Sequence, residues 1–233
     1  MTPPGSAAIT VIASNAVKEA LAELVPHFEQ ATGHKVAICW GGTLDIAGRI
    51  GADEVVDIVI LADGRIDDLI AQGRLAAGSR VDIARSGIGA AVRAGARKFD
   101  ISSAAALKAA VLAAGSIVLS SGPSSVYLAG LFQTMGIADA VKSRIHQIGP
   151  GLPVGAAVAR GEGEIGFTQV SELLSANGID YVGPLPAQVQ YITVWSAGLH
   201  VAAPALDAAK ALVGYLTAPQ AAAAIRRSGM EPA

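Results

Sequence analysis

The stretch AITVIASN, residues 8–15, decides how the chain is read. Ala8–Ala13 is a short run rich in β-branched side chains, and it reads as a buried strand. Ser14 and Asn15 follow, and either can cap a helix. Val17, Leu21, Leu24, Val25 and Phe28 then recur at i, i+3, i+4 spacing until Gly33 closes that helix. The same unit repeats twice. Val36–Trp40 is a strand that runs through Gly41-Gly42-Thr43 into a short helix ending at Ile50. VVDIVIL, residues 55–61, is a strand that runs through Ala62-Asp63-Gly64 into a helix ending near Gly73. Strands alternating with helices predict an α/β fold with a mostly parallel sheet and helices on both faces.

After an extended segment at Arg80–Arg93 the pattern restarts. Helices are expected at Ser103–Ala114, Ser124–Met135 (entered through Pro123), Val154–Arg160 and from Ser171. The strands between them are expected at Ile117–Ser120, Ile145–Ile148 and Ile165–Gln169. Tyr191–Val201 is a second extended segment, and amphipathic helices at Pro204–Leu216 and Pro219–Arg227 complete the chain. Two α/β units joined by two extended crossovers predict two lobes with a double hinge, each lobe a mixed, mostly parallel sheet flanked by helices. Lobe 1 is expected at residues 1–82 plus 196–233 and lobe 2 at residues 83–195, with a ligand cleft between them.

Composition excludes several functions. The 233 residues are 52% hydrophobic and 15% charged, with 17 basic against 19 acidic side chains, which argues against a nucleic-acid partner. One cysteine, Cys39, excludes a disulfide framework and a thiolate metal cluster. The four histidines are scattered without i, i+4 pairing, so neither a metal nor a cofactor is expected. Mean hydropathy is high at +0.49. The uncharged stretches Ala109–Ala138 and Tyr181–Leu206 are nevertheless broken by Gly122-Pro123 and by Pro184, Pro186 and Pro204, so no membrane span is expected. Residues 1–6 carry neither a basic nor an apolar leader segment. The expected compartment is therefore cytoplasmic, or periplasmic if a leader has been removed.

In open α/β sheets ligands bind beyond the carboxyl ends of the strands. The residues there are Ser14 and Asn15, Gly42 and Thr43, Ala62 and Asp63, Ser120 to Ser125, and Gln169 to Ser171. Nearly all are small, neutral hydrogen-bonding residues placed just ahead of a helix, which suits a small anion without a fixed counter-charge. Each one singly is also what an ordinary helix cap requires. Five converging termini favour a binding cleft.

The segments at residues 9–36, 55–63 and 208–232 resemble the periplasmic molybdate-binding proteins of ABC transporters, of the type II periplasmic-binding-protein superfamily. The resemblance implies two lobes closing over an oxyanion held by neutral donors, and an ABC-transporter permease as partner. The ligand set carries over poorly. The family's first-loop serine falls on Ala16, beside Ser14 and Asn15. Its serine-rich second loop falls on Gly41-Gly42-Thr43, its third site on Ser124 and Ser125, and its binding tyrosine on Gln169. The cleft is thus expected to be kept and the ligand changed.

Residues 163–186 with 84–95 resemble a divergent branch of that superfamily, to which bacterial aconitate isomerase is similar. Arg85, at the start of the first crossover, suits a carboxylate, which it can grip bidentately. It suits a solvated surface equally. Arg49 and Arg65 are weaker candidates on exposed helix faces. The expected ligand set is Ser14, Asn15, Gly42, Thr43, Arg85, Ser124, Ser125, Gln169 and Tyr191. Its ligand would be a small anion, either a polycarboxylate or a molybdate- or tungstate-like oxyanion. Binding of that solute is the first expectation, and isomerisation of a small unsaturated polycarboxylate is the alternative. For the latter, Asp63, Glu172, Tyr191 and His200 are the titratable groups near strand ends or crossovers, and none is marked as the base. Cys39 and Trp195 are expected in the core.

Overall fold

A computed structural model describes residues 8–149 and 151–233, so the amino-terminal residues read above for a leader lie outside it. In chain order its elements begin with β1 (Ile9–Ser14), α1 (Lys18–Thr32), β2 (Val36–Gly41), α2 (Thr43–Gly51), β3 (Ile58–Ala62), α3 (Asp63–Ala71) and β4 (Val81–Arg93). Next are α4 (Ala104–Ala113), β5 (Ile117–Leu119), α5 (Pro123–Thr134), α6 (Ala138–Val141), β6 (Ile145–Gln147), α7 (Val154–Ala159), β7 (Ile165–Gln169), α8 (Val170–Leu174) and β8 (Ile179–Pro184). The chain finishes with β9 (Ile192–Leu199), α9 (Leu206–Leu216), α10 (Ala222–Arg227) and β10 (Glu231–Pro232). Its contacts divide it into two compact units. One comprises the residues through Arg85 with Val194–Ala233, and the other comprises Ser86–Thr193.

In the first unit β1 pairs in parallel with β2 and β3, and β9 lies antiparallel on β3. The period of two along β1 sorts its side chains onto two faces. Ile9, Val11 and Ala13 join Ile58, Ile60, Trp195 and Ala197 beneath α1, α9 and α10. Ile12 joins Val59 and Leu61 beneath α2 and α3. The second unit repeats the scheme, with β5 parallel to both β6 and β7, and β4 antiparallel to β7 and β8. Ile88, Ala90, Ile117, Leu119, Ile165 and Phe167 pack against α4, α5 and α6, while Val118 packs with Val154, Ala157 and Val158 of α7. Each unit is therefore an α/β layer with helices on both faces of a mixed sheet.

Several elements differ from the sequence reading, among them the short helix α6, which it does not expect. β3 starts at Ile58 rather than Val55, because the Asp57 side chain turns inward and bonds the neighbouring strand. β8 and β10 were not anticipated, since Ile179–Pro184 is rich in glycine and proline and Glu231–Pro232 is only two residues long. Cys39 is exposed, not packed in the core. On β2 the side chains alternate toward solvent, and the Arg49 guanidinium donates to the Cys39 sulfur at 3.3 Å. Trp195 is fully buried, as expected.

Asp57 is a buried carboxylate held by hydrogen-bond donors rather than by a cation. Its Oδ2 accepts the Thr10 N–H and the Thr10 hydroxyl, each at 2.7 Å, and its Oδ1 accepts the Ala205 N–H at 2.7 Å, just ahead of α9. Replacing it strands two part-buried N–H groups. Asp57→Ala should therefore destabilise the fold by about 3 kcal/mol, read as a lowered urea midpoint. A midpoint within error of the parent would show that these bonds carry no net stability.

Candidate functional site

Within the first unit the in-register pairing Ser14↔Gly41 brings the ends of β1 and β2 side by side. Ser14 and Asn15 thus lie next to Gly42 and Thr43. Ser14 is buried and caps the short 3-10 turn that follows, its hydroxyl accepting the Ala16 N–H at 3.3 Å. Gly42 is the N-cap of α2 and has no side chain to offer, so the amide groups of the first turn of α2 keep their donors for another acceptor. Thr43 is buried beneath it.

Asp63 does not cap α3, because Ala62 occupies that position. Its carboxylate accepts the Gly64 N–H at 2.8 Å and lies 3.6 Å from Arg80, which also binds Asp67 and Asp82. Asp63 is engaged there as a counter-ion. Arg85 is exposed on β4, and Glu231 of β10 stands opposite it in register. Among the described residues Arg85 makes no ion pair, whereas Arg49 is spent on Glu54 and Arg65 on Asp68.

His200 follows the carboxyl end of β9, which runs antiparallel to β3. It therefore sits beside Asp57 at the amino end of β3, away from the strand ends that carry Ser14 and Thr43. Its Nδ1 accepts the Ala202 N–H at 3.1 Å. Desolvation, with help from Arg74, lowers its pKa. Its place in the strand order removes it from the candidate site.

The second unit assembles more donors. Parallel pairing of Leu119 with Phe167 brings the ends of β5 and β7 together, and with them the serine loop and Gln169. Ser124 and Ser125 are buried in the first turn of α5, behind Pro123. Ser124 shares a hydrogen bond with Ser120 (Oγ to Oγ, 2.9 Å), and the Ser125 hydroxyl donates to the Gly122 carbonyl at 2.9 Å. Gln169 is buried and donates its amide to the Thr193 hydroxyl at 3.0 Å. Among the described residues its Oε1 has no partner, and neither does the buried Ser171 hydroxyl. Tyr191 stacks on Tyr127, with ring centroids 4.9 Å apart, and the Tyr127 hydroxyl bonds the Val189 carbonyl.

The unit thus gathers Ser124, Ser125, Gln169 and Tyr191 with Thr193, Ser171, Ser120 and Tyr127. Ser120 and Ser171 stand among the strand-end residues that the sequence marks, outside its expected ligand set. It missed Thr193 and Tyr127, whose only signal is nearness to Gln169 and Tyr191 in the fold.

Glu172 lies one turn into α8, half-buried. Desolvation raises its pKa, opposed by hydrogen bonds from the Thr168 hydroxyl and the Gln169 N–H. The bond back to Gln169, the N-cap, is that of a capping box, which glutamine supports as well as glutamate. No cluster of His, Cys, Asp and Glu fit to hold a metal occurs among the described residues, and no described helix is long and apolar enough to cross a membrane.

A family model described as bacterial extracellular solute-binding protein matches residues 9–231. The chain belongs to that family. It is 38% identical over 230 residues to an aconitate isomerase from Pseudomonas sp., an alignment that covers 96% of this chain and 87% of the relative. Its fold is that of the periplasmic molybdate-binding protein of Azotobacter vinelandii (TM-score 0.80, 21% identity, 95% of this chain and 98% of that one). The sulfate-binding protein SubI of Mycobacterium tuberculosis is similar as well (TM-score 0.77, 16% identity, 97% and 87%).

Glu172 gives this solute-binding chain a defined pH signature. A carboxyl whose pKa is raised by folding holds its proton to higher pH in the native state than in the unfolded one. Stability therefore falls as pH rises above its ordinary value of 4.5. Glu172→Gln keeps the capping bonds and removes the titration, so the variant should gain stability relative to the parent across that window. Urea midpoints of both proteins at a series of pH values check this, and parallel curves would count against the raised pKa.

Proposed function

We propose that the chain binds a small unsaturated polycarboxylate of the aconitate type and interconverts its double-bond isomers. The observation that carries this reading is the second unit's buried Ser171 hydroxyl, without a partner among the described residues, with Glu172 on the same turn. The 38% identical aconitate isomerase supports it along nearly the whole chain. Ser124, Ser125, Gln169 and Tyr191 of the second unit are the proposed ligand contacts.

The chemistry needs only a proton shuttle. A base removes a proton from the methylene next to the double bond, and the electron pair delocalises over the allylic carbons and their carboxylates. The proton returns to the former alkene carbon, which shifts the double bond and allows the other geometry. Glu172, whose pKa lies above the usual carboxylate value, is the proposed acceptor and donor.

Incubation with cis-aconitate in D2O, followed by NMR, should show the trans isomer with deuterium incorporated. Glu172→Gln should lower kcat by about 100-fold or more, the scale of losing a general base, while KM changes little. If cis-aconitate raises the melting temperature but no isomer forms at high protein concentration, the isomerase reading falls. Absence of both effects would also remove aconitate as ligand. Ser124→Ala with Ser125→Ala should weaken binding by about 1–3 kcal/mol, as unmade bonds to a buried anion do, and unchanged affinity would take those serines out of the site.

A second reading is capture of a small anion without turnover, delivered in the periplasm to an ABC-transporter permease. Membership of a solute-binding family and the fold shared with the substrate-binding domain of a molybdenum ABC transporter from Clostridium difficile support it. The neutral donor set supports it equally, because backbone N–H groups and hydroxyls hold an oxyanion without a counter-charge. Melting-temperature shifts with molybdate, tungstate or sulfate, but not with aconitate, would favour it.

A further inference from the structure

A cavity of about 490 Å3 lies wholly within the second unit, lined by Arg93, Arg97, Phe99, Ser116, Gly161 and Glu164, among others. The strand directions place it. Ser116 precedes β5, Glu164 precedes β7, and Arg93 ends β4, which runs antiparallel to β7. The cavity therefore opens at the amino ends of β5 and β7, the opposite edge of the sheet from Ser124 and Gln169. It shares no residue with the site described above.

Its chemistry is also different. Arg93 and Arg97 are exposed, and neither makes an ion pair among the described residues, although Arg160, Arg144 and most other arginines of this chain are engaged. Gly161 adopts φ +80° and comes within van der Waals reach of the Arg93 guanidinium. The wall between the arginines is apolar, made by Phe99, Ala96 and Ala113, with Phe99 half-buried against the core. The one carboxylate, Glu164, is tied to the Gly115 N–H at 2.8 Å rather than to an arginine.

We propose that this cavity is a second ligand site, for a small molecule with an anionic head of one or two charges on a flat apolar body. Two guanidiniums suit a phosphate or carboxylate head, which each can bind with paired N–H groups. The aromatic wall and the volume, within the range of small-molecule sites, call for more than a bare ion. Glu164 disfavours a tricarboxylate, so this ligand is not the aconitate-type substrate. Nucleoside monophosphates and aryl phosphates share the required chemistry.

The test is calorimetric titration of the full chain with adenosine monophosphate, phenyl phosphate and inorganic phosphate. At least one of the two flat phosphates should bind saturably, and at least tenfold more tightly than inorganic phosphate. Arg93→Gln with Arg97→Gln should weaken that binding at least tenfold, at an unchanged melting temperature. Ser124→Ala with Ser125→Ala should leave it unaltered. Adenosine monophosphate binding alone would identify a nucleotide ligand, and phenyl phosphate binding as tightly would show that the ring and head suffice. No saturable binding at millimolar ligand overturns the proposal. So does binding that ignores the arginine changes or that is lost with the serines.

Discussion

Parallel pairing is the constraint on which everything else depends. When β1 and β2 run in the same direction in register, each must be followed by a helix that returns the chain to the starting edge. Capping residues then accumulate at one edge of the sheet, and Ser14 arrives beside Gly41 without any contact having to select it. The same geometry sets the serine loop beside Gln169 where β5 and β7 meet. The cluster of donors is thus a by-product of strand direction, and a ligand needs only to find those that the helix caps leave unspent. The Ser171 hydroxyl is such a remainder, buried where an unmade hydrogen bond is costly.

Strand direction also separates groups that sequence alone places together. His200 and Tyr191 both flank the second extended segment, yet β9 carries them to opposite ends. One lands beside Asp57 and the other on Tyr127. Asp63 reads as a cap and serves as one of three carboxylates around Arg80. What proximity to a strand end suggests, antiparallel neighbours can reverse.

The alternation of strands and helices was legible because β-branched runs such as Ile9–Ala13 and the i, i+3, i+4 spacing through Phe28 are local signals. The positions of the serine loop and Gln169 were legible too, since they lie at the ends of such runs. Thr193, Tyr127 and the β10 pairing of Glu231 with Arg85 were not. Each owes its place to a contact between residues distant in the chain, and no short-range pattern encodes such a contact. Cys39 misled for a related reason. Its residue type favours burial, but its strand pairs with β1 and turns alternate side chains to solvent.

Between the two ends of the second unit, one side chain stands in for a missing strand. The Gln190 amide accepts the Ile88 N–H at 2.8 Å and donates to the Ile88 carbonyl at 2.9 Å, as an opposing backbone would. It comes close enough because position 87 is glycine, where a Cβ would stand 3.0 Å from the amide. These bonds join residues 102 apart in the chain. The second unit is in that sense an insertion that ties off its own loop, so the entropy of bringing its ends together is offset by contacts it makes itself. A segment with that property can be lengthened, shortened or exchanged in evolution while the chain that hosts it keeps its own pairing.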